Sequence, residues 1–168
     1  MYPSFSARAV GLPDLPAATT IEVAAAAGFA AIDLVVHDLV RSAANLDEIR
    51  CRMDDHGLRA GAFPILMNWR GDEARFLRDL AELPRVAQAA ATLGFRQTGT
   101  WVLPETPALP PPGVTLESYR AEVAAFHVAR VGAMARILAD HEIRIGLEVI
   151  GGGDVPPRSR GRVRDPTG

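Results

Sequence analysis

The sequence contains no lysine: all 18 of its basic residues are arginine. They stand against 20 acidic residues, for a net charge of −2. That balance leaves no electrostatic footprint for nucleic acid or an anionic membrane. The arginine- and alanine-rich composition is read as coding bias rather than as a binding device. Cys51 is the single cysteine, so neither an intrachain disulfide nor a cysteine-based zinc site can form. A reducing, cytoplasmic setting fits that scarcity. No apolar run approaches the roughly 18 residues needed to cross a bilayer. Residues 1–10 lack the basic start and apolar stretch of a signal peptide, so the chain is expected in the cytosol. Also missing are a Gly-rich dinucleotide fingerprint, a phosphate-cradling loop and a His-Glu-x-x-His zinc pair. Pro13-Asp14-Leu15-Pro16 is proline-rich where a nucleotide fold would be glycine-rich.

What remains is a regular alternation. Five short apolar runs, 5–12, 30–36, 58–66, 95–103 and 143–150, are separated by amphipathic stretches at 20–27, 46–56, 72–93 and 116–141. Short strands separated by helices imply βαβ units and a parallel sheet. Asn45 or Asp47 can cap the second helix with a side-chain oxygen, and Gly28, Gly57 and Gly94 stand where helices should stop. In the last helix Val123, His127, Val131, Met134 and Leu138 form one stripe for packing on the sheet. Residues 104–113 hold five prolines and read as a loop. The final 18 residues hold five Gly, three Pro and four Arg, with too little apolar surface to order themselves. Residues 1–150 are therefore read as the folded unit, and 151–168 as a disordered tail, with a non-native C-terminus favoured over an RNA-binding arm.

Several segments are familiar. Phe29-Ala30-Ala31-Ile32-Asp33-Leu34 resembles the second strand of the xylose isomerase-like barrels, the sugar phosphate isomerase/epimerase superfamily. Asn68-Trp69-Arg70-Gly71-Asp72-Glu73 and Gly99-Thr100-Trp101-Val102 resemble its third and fourth strand ends. Ile145-Gly146-Leu147-Glu148-Val149 is similar to its fifth strand, whose glutamate is the first of four ligands to a divalent metal. The resemblance implies a (β/α)₈ barrel, a sugar or polyol substrate, and Mn²⁺, Mg²⁺ or Zn²⁺ at Glu148. It also implies proton transfer through an enediolate as the reaction. A complete barrel takes about 250 residues, with 200 a practical minimum. The expected fold is thus a partial barrel of about five parallel strands with helices on the outer side. The other metal ligands would come from strands six to eight, so metal binding and activity are not expected of this chain alone.

Alternation along the fifth run places Glu148 and Gly146 on the barrel interior and Ile145, Leu147 and Val149 under the helices. Glu148 is accordingly both the catalytic and the metal-binding candidate. His37, Trp69, Trp101 and Glu105 lie near strand C-terminal ends, the side where such barrels build their sites, and are candidates for substrate binding. For His37 with Asp38 a surface loop pair is the plainer reading, and for Trp101 core packing serves equally well. Asp33 is read as an inward carboxylate, structural if Arg8 or Arg59 pairs with it. Arg70 and Glu105 can contact a polyol or phosphate or simply stand in solvent. His127 is read as a packing histidine. Open edges and an uncovered, apolar concave face would favour self-association. Three rival readings stay open: a half-barrel acting only through association, a flavodoxin-like doubly wound domain of strand order 2-1-3-4-5, and an apurinic-site endonuclease-like hydrolase.

Overall fold

Three helices begin where a short oxygen-bearing side chain replaces the hydrogen-bond partner that a first turn lacks. Asn45 accepts from the Glu48 amide at 3.2 Å, Asp72 from Arg75 at 2.9 Å and Thr115 from Ser118 at 3.2 Å. Each such cap contributes about 1 kcal/mol. The computed structural model describes residues 3–102 and 110–149. Its helices are α1 (Ala17–Ala26), α2 (Val36–Arg41), α3 (Leu46–Asp55), α4 (Glu73–Thr92) and α5 (Leu116–Ala139). Its strands are β1 (Ser4–Ser6), β2 (Ala31–Asp33), β3 (Arg59–Ala60), β4 (Phe63–Pro64), β5 (Gln97–Val102) and β6 (Arg144–Val149).

Every strand pair is parallel, in the orders β1-β2-β3 and β4-β5-β6. Because β3 and β4 belong to one run of chain, the order is sequential from end to end. That is the order of a barrel segment, and it rules out the doubly wound alternative. Among the described residues the barrel is not closed, and β1 and β6 are each paired along one side only.

The expected third strand is divided because its alternation changes phase. Ala60 pairs with Ile32 and Phe63 pairs with Thr98, and both face the helices although they lie three residues apart. A strand of unbroken period two would have put Phe63 on the opposite side. Gly61 and Ala62 absorb the extra residue, as in a bulge. Asp33 stabilises the break: its Oδ1 accepts from the Ser4 hydroxyl at 2.6 Å and from the Ala62 amide at 2.8 Å. A Cβ on Gly61 would lie 2.2 Å from that oxygen and 2.4 Å from Ser4 Oγ. Asp33 does face inward and does have a structural role, with Ser4 and Ala62 as partners.

Two further boundaries differ from expectation. The first strand ends at Ser6, because residues 8–10 turn into a short 3-10 helix closed by Gly11 at φ 81°. The second ends at Asp33, and α2 places His37 and Asp38 in a helix instead of a loop. The expected tail, and residues 103–109 of the proline-rich loop with Glu105, lie outside the described residues.

The helices form one layer, α1 against α3, α3 against α4 and α4 against α5. Under them lie Phe5, Ile32, Phe63, Phe95 and Ile143, all under 9% exposed. Phe63 and Phe95 meet edge to face at 5.9 Å, a geometry that contributes about 1 kcal/mol beyond burial. The concave face, expected to be apolar, is largely polar or small instead: Ser4, Ser6, Asp33 and Arg59 on one side, Gln97, Gly99, Gly146 and Glu148 on the other. Trp101 is its large exposed apolar group among the described residues.

The contact at Gly61 is testable. Gly61→Ala should destabilise the fold by about 2 kcal/mol, the usual cost of forcing a methyl into filled space. Urea unfolding measures it. An unchanged midpoint would mean that Asp33 and Ser4 move aside freely.

Candidate functional site

Register in the second ladder decides which side chains share a face. Thr98 and Thr100 pair with Ile145 and Leu147, whereas Gly99 and Trp101 pair with Gly146 and Glu148. Directly paired residues of parallel strands point the same way, so two opposite surfaces result. On the concave side Trp101 Nε1 donates to Glu148 Oε2 at 3.0 Å. This pair stands one rung before the C-terminal ends of β5 and β6. Below it, Gly99 and Gly146 carry no side chains, so space stays open beside the indole. Trp101 is 58% exposed, a surface ring with one edge tied to a carboxylate.

The other tryptophan has the opposite surroundings. Trp69 is 1% exposed and donates to Thr100 Oγ1 at 3.0 Å, on the helix side of the sheet. His127 of α5 meets its ring edge to face at 5.2 Å, and the Arg70 guanidinium lies 4.4 Å from its centroid. A ring so enclosed has no face left for a sugar, which corrects its assignment as a pocket wall. The loop carrying it is fixed by Arg130, a buried residue that the sequence reading passed over. Arg130 Nη1 donates to the carbonyls of Trp69 at 2.9 Å and Gly71 at 2.6 Å, and Nη2 pairs with Glu73. Its guanidinium also lies over Phe76 and Phe126, at 4.5 and 4.1 Å. The overlooked signal was an arginine at the centre of an apolar stripe, four residues from both Phe126 and Met134.

His37 occupies the first turn of α2 and is half-buried, with Nδ1 buried and without a hydrogen-bond partner among the described residues. Burial lowers its pKa from the ordinary 6.5, and Arg41 adds to this, while Asp38 and Asp79 of α4 oppose it. Asp38 itself is bound to Arg41 at 2.8 Å. A cavity of about 570 Å³ opens over the ends of β1 and β2, with Ser6, Asp33, Asn45 and Glu48 in its wall. Of the carboxylates lining it, Asp33 is engaged as above, Asp38 with Arg41, and Glu48 with Arg52 at 2.9 Å.

A divalent metal needs several converging oxygen or nitrogen ligands. Among the described residues no three His, Cys, Asp or Glu side chains come together. Glu148 presents one carboxylate, already hydrogen-bonded. The described residues by themselves do not fit a metal ion.

The His37 shift has a definite sign. The folded chain favours neutral imidazole, so stability is present above pH 6.5 and is lost as pH falls below it toward the lowered folded-state value. His37→Gln removes this proton uptake on unfolding. Between pH 7.5 and 5 the wild type should lose melting temperature relative to the variant, and parallel curves would contradict the shift.

Comparison with known proteins follows the geometry. The chain superimposes on a xylose isomerase domain protein from Alicyclobacillus acidocaldarius with a TM-score of 0.69 and 22% identity, over 90% of this chain and 50% of that one. For a D-psicose 3-epimerase solved in the presence of D-fructose the values are 0.67 and 20%, over 90% and 53%. For the IOLI protein with a bound zinc atom they are 0.68 and 17%, over 90% and 52%. At these identities the likeness is one of fold, and the chain spans about half the length of each. No curated protein sequence matches it. The sequence profile of one family matches residues 21–163, running past Ile150, where the resemblance read from the sequence had ended. With most of its length matched and its strands in sequential parallel order, this chain belongs to the xylose isomerase-like TIM barrel family.

Proposed function

We propose that this chain supplies part of the sugar site of a divalent-metal-dependent isomerase or epimerase, and that Trp101 and Glu148 are its substrate-contacting pair. The observation that carries this reading is the 3.0 Å bond from Trp101 Nε1 to Glu148 Oε2 on the concave face. An exposed indole packs well against the C–H face of a sugar. The bond uses one carboxylate oxygen and fixes its rotamer, which leaves the other to accept from a sugar hydroxyl. The glycine rung beneath gives the ligand room. Solved relatives of the same fold include a D-psicose 3-epimerase with D-fructose and a Methylomonas D-allulose 3-epimerase with D-allulose. A ketose is the substrate class we favour on that ground.

In the whole protein Glu148 is also our assigned first ligand to the metal, with the remaining ligands supplied from outside the described residues. A divalent metal held by Glu148 and those further ligands would supply Lewis-acid chemistry. The task of this chain is to hold the ketose against the ring with its reacting end toward the carboxylate. Glu105, outside the described residues, remains a proposed substrate contact. His37 feels the charge of Asp79 on α4, and we assign it no substrate contact.

Intrinsic fluorescence tests the pair, because Trp101 is the exposed one of two tryptophans. Titration with D-fructose or D-allulose should shift the emission saturably, with no response in Trp101→Phe. Glu148→Gln should weaken binding about tenfold, the worth of one hydrogen bond to a charged group. Mn²⁺ added to this chain alone should show no micromolar binding and produce no epimerase activity. Emission indifferent to sugar would sink the assignment, and Mn²⁺ binding abolished by Glu148→Gln would reveal further ligands within these residues.

A further inference from the structure

Two arginines stand close to Trp69, and their hydrogen bonding is opposite. Arg130 finds acceptors in two carbonyls and a carboxylate. The Arg70 guanidinium carbon lies over the indole, 4.4 Å from its centroid, while its Nε and Nη2 are buried and lack acceptors among the described residues. These two nitrogens are adjacent on one edge of the guanidinium. That edge carries the parallel pair of N–H groups that takes a carboxylate or phosphate with two hydrogen bonds. Leaving buried donors of a charged group unmatched costs the full desolvation of those donors.

Among the described residues, the acids of this loop and of α4 beside it are committed elsewhere. Asp72 caps α4 through the Arg75 amide at 2.9 Å, Glu73 pairs with Arg130, and Asp79 accepts from the Asn68 amide at 3.1 Å. Both α4 and α5 begin at this end of the strands, and their N-terminal dipoles favour negative charge there. The contact with Trp69 places the guanidinium before a ligand arrives.

We propose that the Nε/Nη2 edge of Arg70 is an oxyanion subsite that receives the phosphate or carboxylate of a small-molecule ligand. It is separate from the Trp101–Glu148 pair, because Trp69 and Trp101 lie on opposite faces of the sheet. That the oxyanion is carried by the sugar rests on the function proposed above, whereas anion binding at Arg70 does not.

The test uses the Trp101→Phe chain, in which Trp69, directly beneath the guanidinium, is the remaining fluorophore. Inorganic phosphate, acetate, D-fructose 6-phosphate and neutral D-fructose are titrated at constant ionic strength. A saturable change in Trp69 emission with phosphate and the sugar phosphate, but not with D-fructose, assigns the subsite to phosphate. A response to acetate alone assigns it to a carboxylate. Arg70→Gln should abolish the response, and Arg70→Lys, which keeps the charge but loses the fork, should bind about tenfold more weakly. Circular dichroism confirms that each variant is folded. Emission unmoved by both anions, or a response equal in wild type and Arg70→Lys, overturns the proposal. Failure of the Trp101 sugar titration would leave this result standing, so the two readings fail independently.

Discussion

Asp33 holds three strands together through one oxygen. It receives the hydroxyl of Ser4 on β1 and the amide of Ala62 between β3 and β4, while its own backbone belongs to β2. The two ladders can form one wall only if the third run pairs backward with β2 and forward with β5. An unbroken strand could do both, but it would turn Phe63 out of the helix-side core. The change of phase at Gly61–Ala62 keeps Phe63 buried, and Asp33 satisfies the amide that the break releases. Glycine is required beside it because no Cβ fits against the carboxylate. From that point the wall, its helix layer and its polar concave side follow.

The two faces of the wall differ because only one is covered by helices. On the covered side the sheet presents Phe5, Ile32, Phe63 and Ile145 to the helix layer, and α5 reaches over to fix the β4–α4 loop through Arg130. A guanidinium is suited to that place: it bonds two carbonyls at once while its planar faces lie on Phe76 and Phe126. The same loop brings Trp69 into the core and lays Arg70 on top of it. On the uncovered side serine, glycine, arginine and carboxylate side chains replace the apolar surface that parallel strands normally hide. That chemistry suits a hydrated or ligand-filled interior.

Leu147 shows how one residue relates to both faces. It lies on the helix side, paired with Thr100, yet it is 51% exposed. No described helix covers it. Glu148, its neighbour on the concave side, is held by Trp101 and turned toward open space. A carboxylate fixed by an indole, above a rung of glycines, is the most site-like arrangement among the described residues.

Strand–helix alternation, the caps at Asn45 and the glycine stops were legible in the sequence because each depends on local chemistry. So was the inward direction of Glu148, which follows from parity within a single strand. The length of β1, the helix at Val36–Arg41 and the divided third strand were not legible, because each is decided by contacts distant in sequence. Asp33 meets Ala62 29 residues away, and Arg130 meets Trp69 61 residues away. The tryptophans make the distinction sharpest. Both lie near strand ends and read alike in one dimension. Trp69 is buried because Thr100, His127 and Arg130 converge on it, and Trp101 is exposed because its strand parity turns it to the uncovered face. The sequence by itself determined which residues could form strands, helices and an inward carboxylate. Tertiary structure decided which aromatic ring, and which arginine, was left with a face or an edge still to be matched.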